Sequence, residues 1–226
     1  MRRVLAAAAT IIVAAACVAS WEAWRCTGAE PENDPDLLNR FYIFRDSDSK
    51  ENHGNWTNKM PAGVTGVNFD VFQKAKVDPT PQRDPGKDGP KNTCVRLDVR
   101  KWNPESWIGI AVAGKPDYWG KESGPGFDLR AYTKLVFWAR GQKGEETIQV
   151  KIAITGKELY GDSASDPVAS EWISLTPEWK RYEIPLKNAD LRRVITPFAV
   201  FMDRSHNDGE NLTIFLDEIY LAGDKG

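Results

Sequence analysis

Two apolar runs in the middle of the chain carry aromatic and polar residues at alternate positions: residues 134–140 (KLVFWAR) and 147–154 (TIQVKIAI). A strand turns successive side chains to opposite faces. Leu135, Phe137 and Ala139 then share one face and Val136, Trp138 and Arg140 the other, while Ile148, Val150, Ile152 and Ile154 oppose Gln149, Lys151 and Ala153. The same division places Val95, Leu97 and Val99 against Cys94, Arg96 and Asp98, and Phe198, Val200 and Met202 against Ala199, Phe201 and Asp203. The four strands agree on one continuous apolar face and one mixed face, although their neighbours are not fixed by sequence. Pyranose rings present flat C–H surfaces that stack on aromatic faces, and their hydroxyls demand charged or amide partners. Trp138, Arg140, Gln149, Lys151, Phe201 and Asp203 supply both, and Trp107 joins them if residues 107–113 (WIGIAVA) pair alongside, with Gly109 and Ala111 as a small floor. A salt-bridged solvent face, or a surface covered by a loop, is the competing reading for each of these residues.

A loop after that last run bears Tyr118 and Trp119, which either stack on a ligand or pack over the end of the domain. Trp172, Trp179 and Tyr182 fall in strand and turn contexts typical of a core or corner and are read as structural. No G-x-S-x-G, P-loop or H-E-x-x-H motif is present, and the two histidines, His53 and His206, sit in Asn/Asp/Gly-rich loops. A pair of glycosidase carboxylates is a matter of spatial separation, and none of the 32 acids sits in a recognisable setting.

These residues need strands to hold them. From Phe41 onward the chain is a series of ten short apolar runs punctuated by Gly, Pro, Asn and Asp, starting at 41–44, 66–72, 93–99 and 107–113 and ending at 198–202 and 212–222. That pattern predicts an all-β chain folded as two antiparallel sheets, a sandwich or barrel, rather than a strand–helix alternation. The best helical pattern is a turn near 190–194. At 226 residues, 27% charged and 41% hydrophobic, the chain is read as one soluble globular domain. Nine tryptophans are several times the ordinary usage, and a net charge of −2 offers no basic patch for a phosphate backbone, which excludes nucleic acid as a partner.

The N-terminus reads as an export signal, residues 1–24, with Arg2 and Arg3 ahead of the apolar VLAAAATIIVAAA, too short to span a bilayer. Its end, Val13-Ala14-Ala15-Ala16-Cys17, resembles a bacterial lipoprotein box whose cysteine is lipid-modified, with Ala14 where Leu is usual. Ordinary cleavage after a small residue, or an uncleaved anchor, are the alternatives. Residues 25–39 form a polar linker and 40–226 the sandwich domain. In an exported chain Cys26 and Cys94 can pair; otherwise Cys94 is a buried free thiol.

Residues 132–146 (YTKLVFWARGQKGEE), 173–195 (ISLTPEWKRYEIPLKNADLRRVI) and 213–221 (TIFLDEIYL) carry a resemblance. Phe137-Trp138-Ala139-Arg140-Gly141, Trp179-Lys180-Arg181-Tyr182 and Leu216-Asp217-Glu218-Ile219 are similar to motifs in the second half of carbohydrate-binding-module-like jelly rolls of the galactose-binding-like superfamily. Glu218 stands where the second Asp is usual, and residues 44–56 (FRDSDSKENHGNW) resemble the start of bacterial members. The likeness covers roughly 41–222 and implies a jelly-roll fold. It also implies a structural Ca²⁺, with Asp217 of the last strand matching by motif and Asp46 or Asp48 completing an oxygen cage; a backbone-capping role for Asp217 is the alternative. The sequence therefore leads to an exported envelope or extracellular protein that binds oligo- or polysaccharide without catalysis, touching membrane only through a lipid on Cys17. A polysaccharide hydrolase or lyase, or an adhesive envelope protein with no small ligand, are the rival readings.

Overall fold

The computed structural model describes residues 40–45, 49–57, 76–78, 81–83, 92–100, 107–115, 117–208 and 211–223. All fourteen elements assigned among them are strands: β1 Arg40–Phe44, β2 Asn55–Thr57, β3 Lys76–Asp78, β4 Pro81–Arg83, β5 Asn92–Thr93, β6 Val95–Arg100, β7 Trp107–Ala113, β8 Lys134–Gly141, β9 Thr147–Ile152, β10 Val168–Ala169, β11 Ile173–Ser174, β12 Lys180–Pro185, β13 Phe198–Asp203 and β14 Asn211–Ala222. The first sheet runs β12-β8-β14-β6-β3, with β1 also on β14, and the second runs β10-β9-β13-β7-β2, with β11 also on β9. Every pairing is antiparallel. The fold is a two-sheet β-sandwich of the jelly-roll type.

The alternation that defines the strands also builds the core. Leu135, Phe137 and Ala139 of β8 and Ile214 and Leu216 of β14 meet Ile110, Ile148, Val150, Phe198 and Val200 of the second sheet in one buried cluster. Each fully buried Ile, Leu, Val or Phe contributes about 1.5–3 kcal/mol of transfer free energy. β14 is long enough to serve three neighbours: β8 along one edge, and on the other β6 at its start and β1 at its end. A bulge between Asp217 and Tyr220, with Glu218 at φ 44°, reverses the in–out alternation so that Ile214, Leu216, Ile219 and Leu221 all reach the core. β1 closes on it, with Arg40 opposite Ala222.

One expectation from the sequence needs correction here. The strands at 93–99, 134–140, 147–154 and 198–203 do not share a single mixed face: β6 and β8 lie in the first sheet, β9 and β13 in the second. In a sandwich both sheets turn an apolar face inward and a mixed face outward, so alternation alone cannot assign a strand to a sheet. The run at 66–72, the linker and the export signal lie outside the described residues. Cys94 is disulfide-bonded, so the free-thiol reading does not hold; Cys17 and Cys26, the other two cysteines, are outside the described residues. Cys94 packs beside Phe215 and Trp179 on the outer face of the first sheet.

Candidate functional site

The second sheet's outer face collects the mixed residues of β7, β9 and β13. Register places Gln149 beside Phe201 and Phe201 beside Gly109; Lys151 beside Ala199 and Ala199 beside Ala111; and Asp203 beside Trp107. Gly109 brings no side chain beside Phe201, whereas Ala111 and Ala199 lie under Trp119 rather than under the open floor. A shallow open depression of about 180 Å³ results, lined by Trp107, Gln149, Lys151, Trp172, Phe201 and Asp203, with Met202 beneath. Trp107 and Phe201 lie 5.6 Å apart between ring centroids with planes 34° apart, forming a continuous aromatic floor. The Lys151 ammonium sits 4.5 Å from the Phe201 centroid, a cation–π contact, and burial lowers its pKa. The Gln149 amide donates to Ser170 O at 3.0 Å, which tethers the edge segment carrying Trp172.

The far end of this face is roofed by two loops. Trp119, 8% exposed, covers Ala111 and Ala199 and packs against Phe201 and Ile154. Tyr118 is buried against Ala113 and Ile195, and its hydroxyl accepts from Arg193 Nη2 at 2.9 Å. Tyr118 thus packs over the end of the sandwich, and Trp119 packs down on the sheet beside Phe201 and is not among the residues lining the depression. Arg193 also donates to Tyr160 O, Gly161 O and Gly124 O, tying both loops together. The loops touch backbone to backbone: Gly120, at φ 76°, would bring a Cβ within 2.7 Å of Gly161 Cα. Beneath them the buried Asp162 carboxylate accepts from Thr155 N, Ile195 N and Thr196 N and from the hydroxyls of Thr155 and Thr196, at 2.6–3.1 Å.

Trp138 and Arg140 are on the outer face of the first sheet, across the sandwich from this depression. Trp138 lies between Asp217 of β14 and Arg181 of β12 in register. The Arg140 guanidinium is buried 3.9 Å from the Phe215 centroid and 5.5 Å from that of Trp179. Its Nη1 donates to Pro177 O at 3.5 Å, and burial pulls its pKa down against the pull of Glu146. These two residues therefore do not join Gln149, Lys151, Phe201 and Asp203 in one site. Asp217 is 2% exposed and its Oδ1 accepts from Glu218 N at 2.8 Å. Asp46 and Asp48 lie outside the described residues, and among the described ones no group of three His, Cys, Asp or Glu is arranged to hold a metal.

Sequence reasoning missed Trp172, which it read as structural. The indole lines the depression and stacks on His206, with centroids 3.9 Å apart and planes 16° apart. The available signal was the Asp-Arg-Ser-His-Asn turn after β13, which fixes a ring at a strand end.

The family model described as carbohydrate binding domain 30 matches residues 40–222. A solved structure titled as a family 30 carbohydrate binding module superposes with a TM-score of 0.50 at 17% identity, covering 85% of this chain and 92% of that one. The family 30 module of the cellulosomal cellulase Cel9D-Cel44B of Clostridium thermocellum gives a TM-score of 0.50 at 17% identity, covering 84% of this chain and 100% of that one. Among curated proteins none matches. With the matched span running from the first strand to the last, the chain belongs to the carbohydrate binding domain 30 family.

Proposed function

We propose that the chain binds a polysaccharide non-catalytically at the cell envelope, in the depression on the outer face of the second sheet. The observation that carries this reading is the Trp107–Phe201 floor flanked by Trp172, with Gln149 and Lys151 beside it. Sugar rings stack on the floor and Lys151 donates to hydroxyls. Among the described residues lining the depression the one carboxylate, Asp203, is already engaged by His206 and Ser205, which favours binding over hydrolysis. The family membership supports a saccharide ligand, and the origin of the family 30 neighbour in a cellulase makes β-glucans the first probes. The envelope location is supported by the apolar N-terminal segment and Cys17.

A glycan array followed by calorimetry tests it. Trp107→Ala and Phe201→Ala are each expected to weaken binding about tenfold or more, while Trp138→Ala on the opposite sheet changes it less than about twofold. A blank array from folded protein sinks the proposal, as does a Trp107→Ala variant that binds normally.

A structural Ca²⁺ near Asp217 belongs to the same proposal. β1 ends at Phe44 opposite Ile219, and Arg45 Nε reaches within 4.0 Å of Glu218 Oε1, so Glu218 and its neighbour Asp217 stand beside the end of β1. Buried carboxylate oxygens of this kind suit a hard cation. Chelation with EDTA is expected to lower the melting temperature and added Ca²⁺ to restore it; an unchanged melt removes the ion.

A further inference from the structure

Among the described residues that line the depression, Trp172 is the aromatic that no regular sheet strand carries. It lies between β10 and β11, two-residue strands at the edge of the second sheet. A side chain there has few strand neighbours to fix its plane, yet a stacking platform is useful only when its plane is fixed.

The turn after β13 provides that fixation. Asp203 Oδ1 accepts from His206 N at 2.9 Å, lies 2.7 Å from the ring Nδ1, and accepts from Ser205 Oγ at 3.0 Å. The carboxylate thus places the proton on Nδ1 and sets the ring orientation. Asn207 locks the turn to the start of β9: its amide donates to Thr147 O at 2.8 Å and to Asp203 O at 2.9 Å, and its carbonyl oxygen accepts from Thr147 N at 2.7 Å. The His206 ring held in this way covers one face of the Trp172 indole.

We propose that Asp203 and His206 are positioning residues of the sugar site: they hold Trp172 in the plane that a sugar ring stacks on and leave only its opposite face to the ligand. Asp203 then does not read sugar hydroxyls, which revises the role that strand alternation suggested for it. The inference rests on the saccharide reading of the depression.

Two measurements on the full chain separate the inference from that reading. In ¹⁹F NMR of 5-fluorotryptophan-labelled protein, the Trp172 line, assigned with Trp172→Phe, is expected at a shifted position in the wild type. It should move toward the free-indole position in His206→Ala and stay shifted in His206→Phe, which keeps a ring in the stack. In calorimetry with cellohexaose and a β-1,3-1,4 mixed-linked tetrasaccharide, His206→Ala is expected to bind about tenfold more weakly and His206→Phe within about twofold of wild type. A Trp172 line unmoved in His206→Ala overturns the positioning role whether or not either glucan binds. Normal affinity in His206→Ala while Trp172→Ala is weakened overturns it as well. Loss of binding in neither Trp107→Ala nor Trp172→Ala overturns the saccharide reading instead, and the fluorine spectrum still decides the stack.

Discussion

Lys151 decides how the depression responds to pH. Its ammonium is half-buried over the Phe201 ring, and burial lowers its pKa from the ordinary lysine value. On the proposed reading a protonated Lys151 donates to sugar hydroxyls, so affinity is expected to fall as pH rises through the lowered value. Stability moves the other way: the unfolded chain holds that proton more tightly, so between the lowered and the ordinary lysine pKa the fold gains stability as pH rises. The difference between wild type and Lys151→Gln across alkaline pH should therefore show the two effects with opposite signs, affinity by calorimetry and stability by melting curves. A Lys151→Gln variant whose affinity falls with pH as the wild type's does would refute the assignment. Lys151, Gln149 and Phe201 were legible in the sequence because each alternates with core residues along a regular strand, and Trp107 only on the condition that its wholly apolar run pairs alongside. Trp172 was not, because its neighbours are two-residue strands with no periodicity, and its partner His206 is brought to it by a turn.

The elements divide in the same way. The cores of β7, β8, β9, β12, β13 and β14 follow from period-two runs, whereas the run at 170–175 contributes only the short β11 within it and β10 lies just before it. Which sheet each strand joins was hidden, since β8 and β9 carry equivalent patterns and part company at the turn between them. The loop roof was hidden too, because Asp162 and its partners Thr155, Ile195 and Thr196 come from two loops distant in sequence. That carboxylate is the strongest local determinant of the roof: removing it leaves three buried backbone N–H groups without their acceptor. Asp162→Ala is expected to destabilise the protein by about 3 kcal/mol in denaturant unfolding. Amide exchange should accelerate first at Thr155, Ile195 and Thr196, and an unaltered exchange pattern would show that the loops are held by other contacts.

At the scale of the molecule, the two outer faces have different occupations. Among the described residues the second sheet carries the depression at its Trp107 end, while the first carries the buried Arg140 and Phe215, the half-buried Trp179 and the disulfide at Cys94. A native disulfide in a domain of this size typically contributes 2–5 kcal/mol, so reduction should lower the denaturant midpoint, with the folded reduced protein still binding its ligand because the bond lies on the sheet away from the depression. Loss of affinity on reduction without unfolding would show that the two faces are coupled.

The pairing of Arg40 with Ala222 has a mechanical consequence. Entry and exit of the domain lie side by side at one end of an antiparallel ladder, and both belong to the sheet opposite the depression. A polypeptide pulled through both ends would peel β1 from β14 one hydrogen bond after another, which yields at low force. A pull between the N-terminal end and a sugar chain seated on the second sheet instead runs across the whole sandwich, and the buried interface between the sheets shares the load. With a sugar in the proposed site, the domain held by one end and by its ligand is expected to resist, and tugged at both ends to unzip.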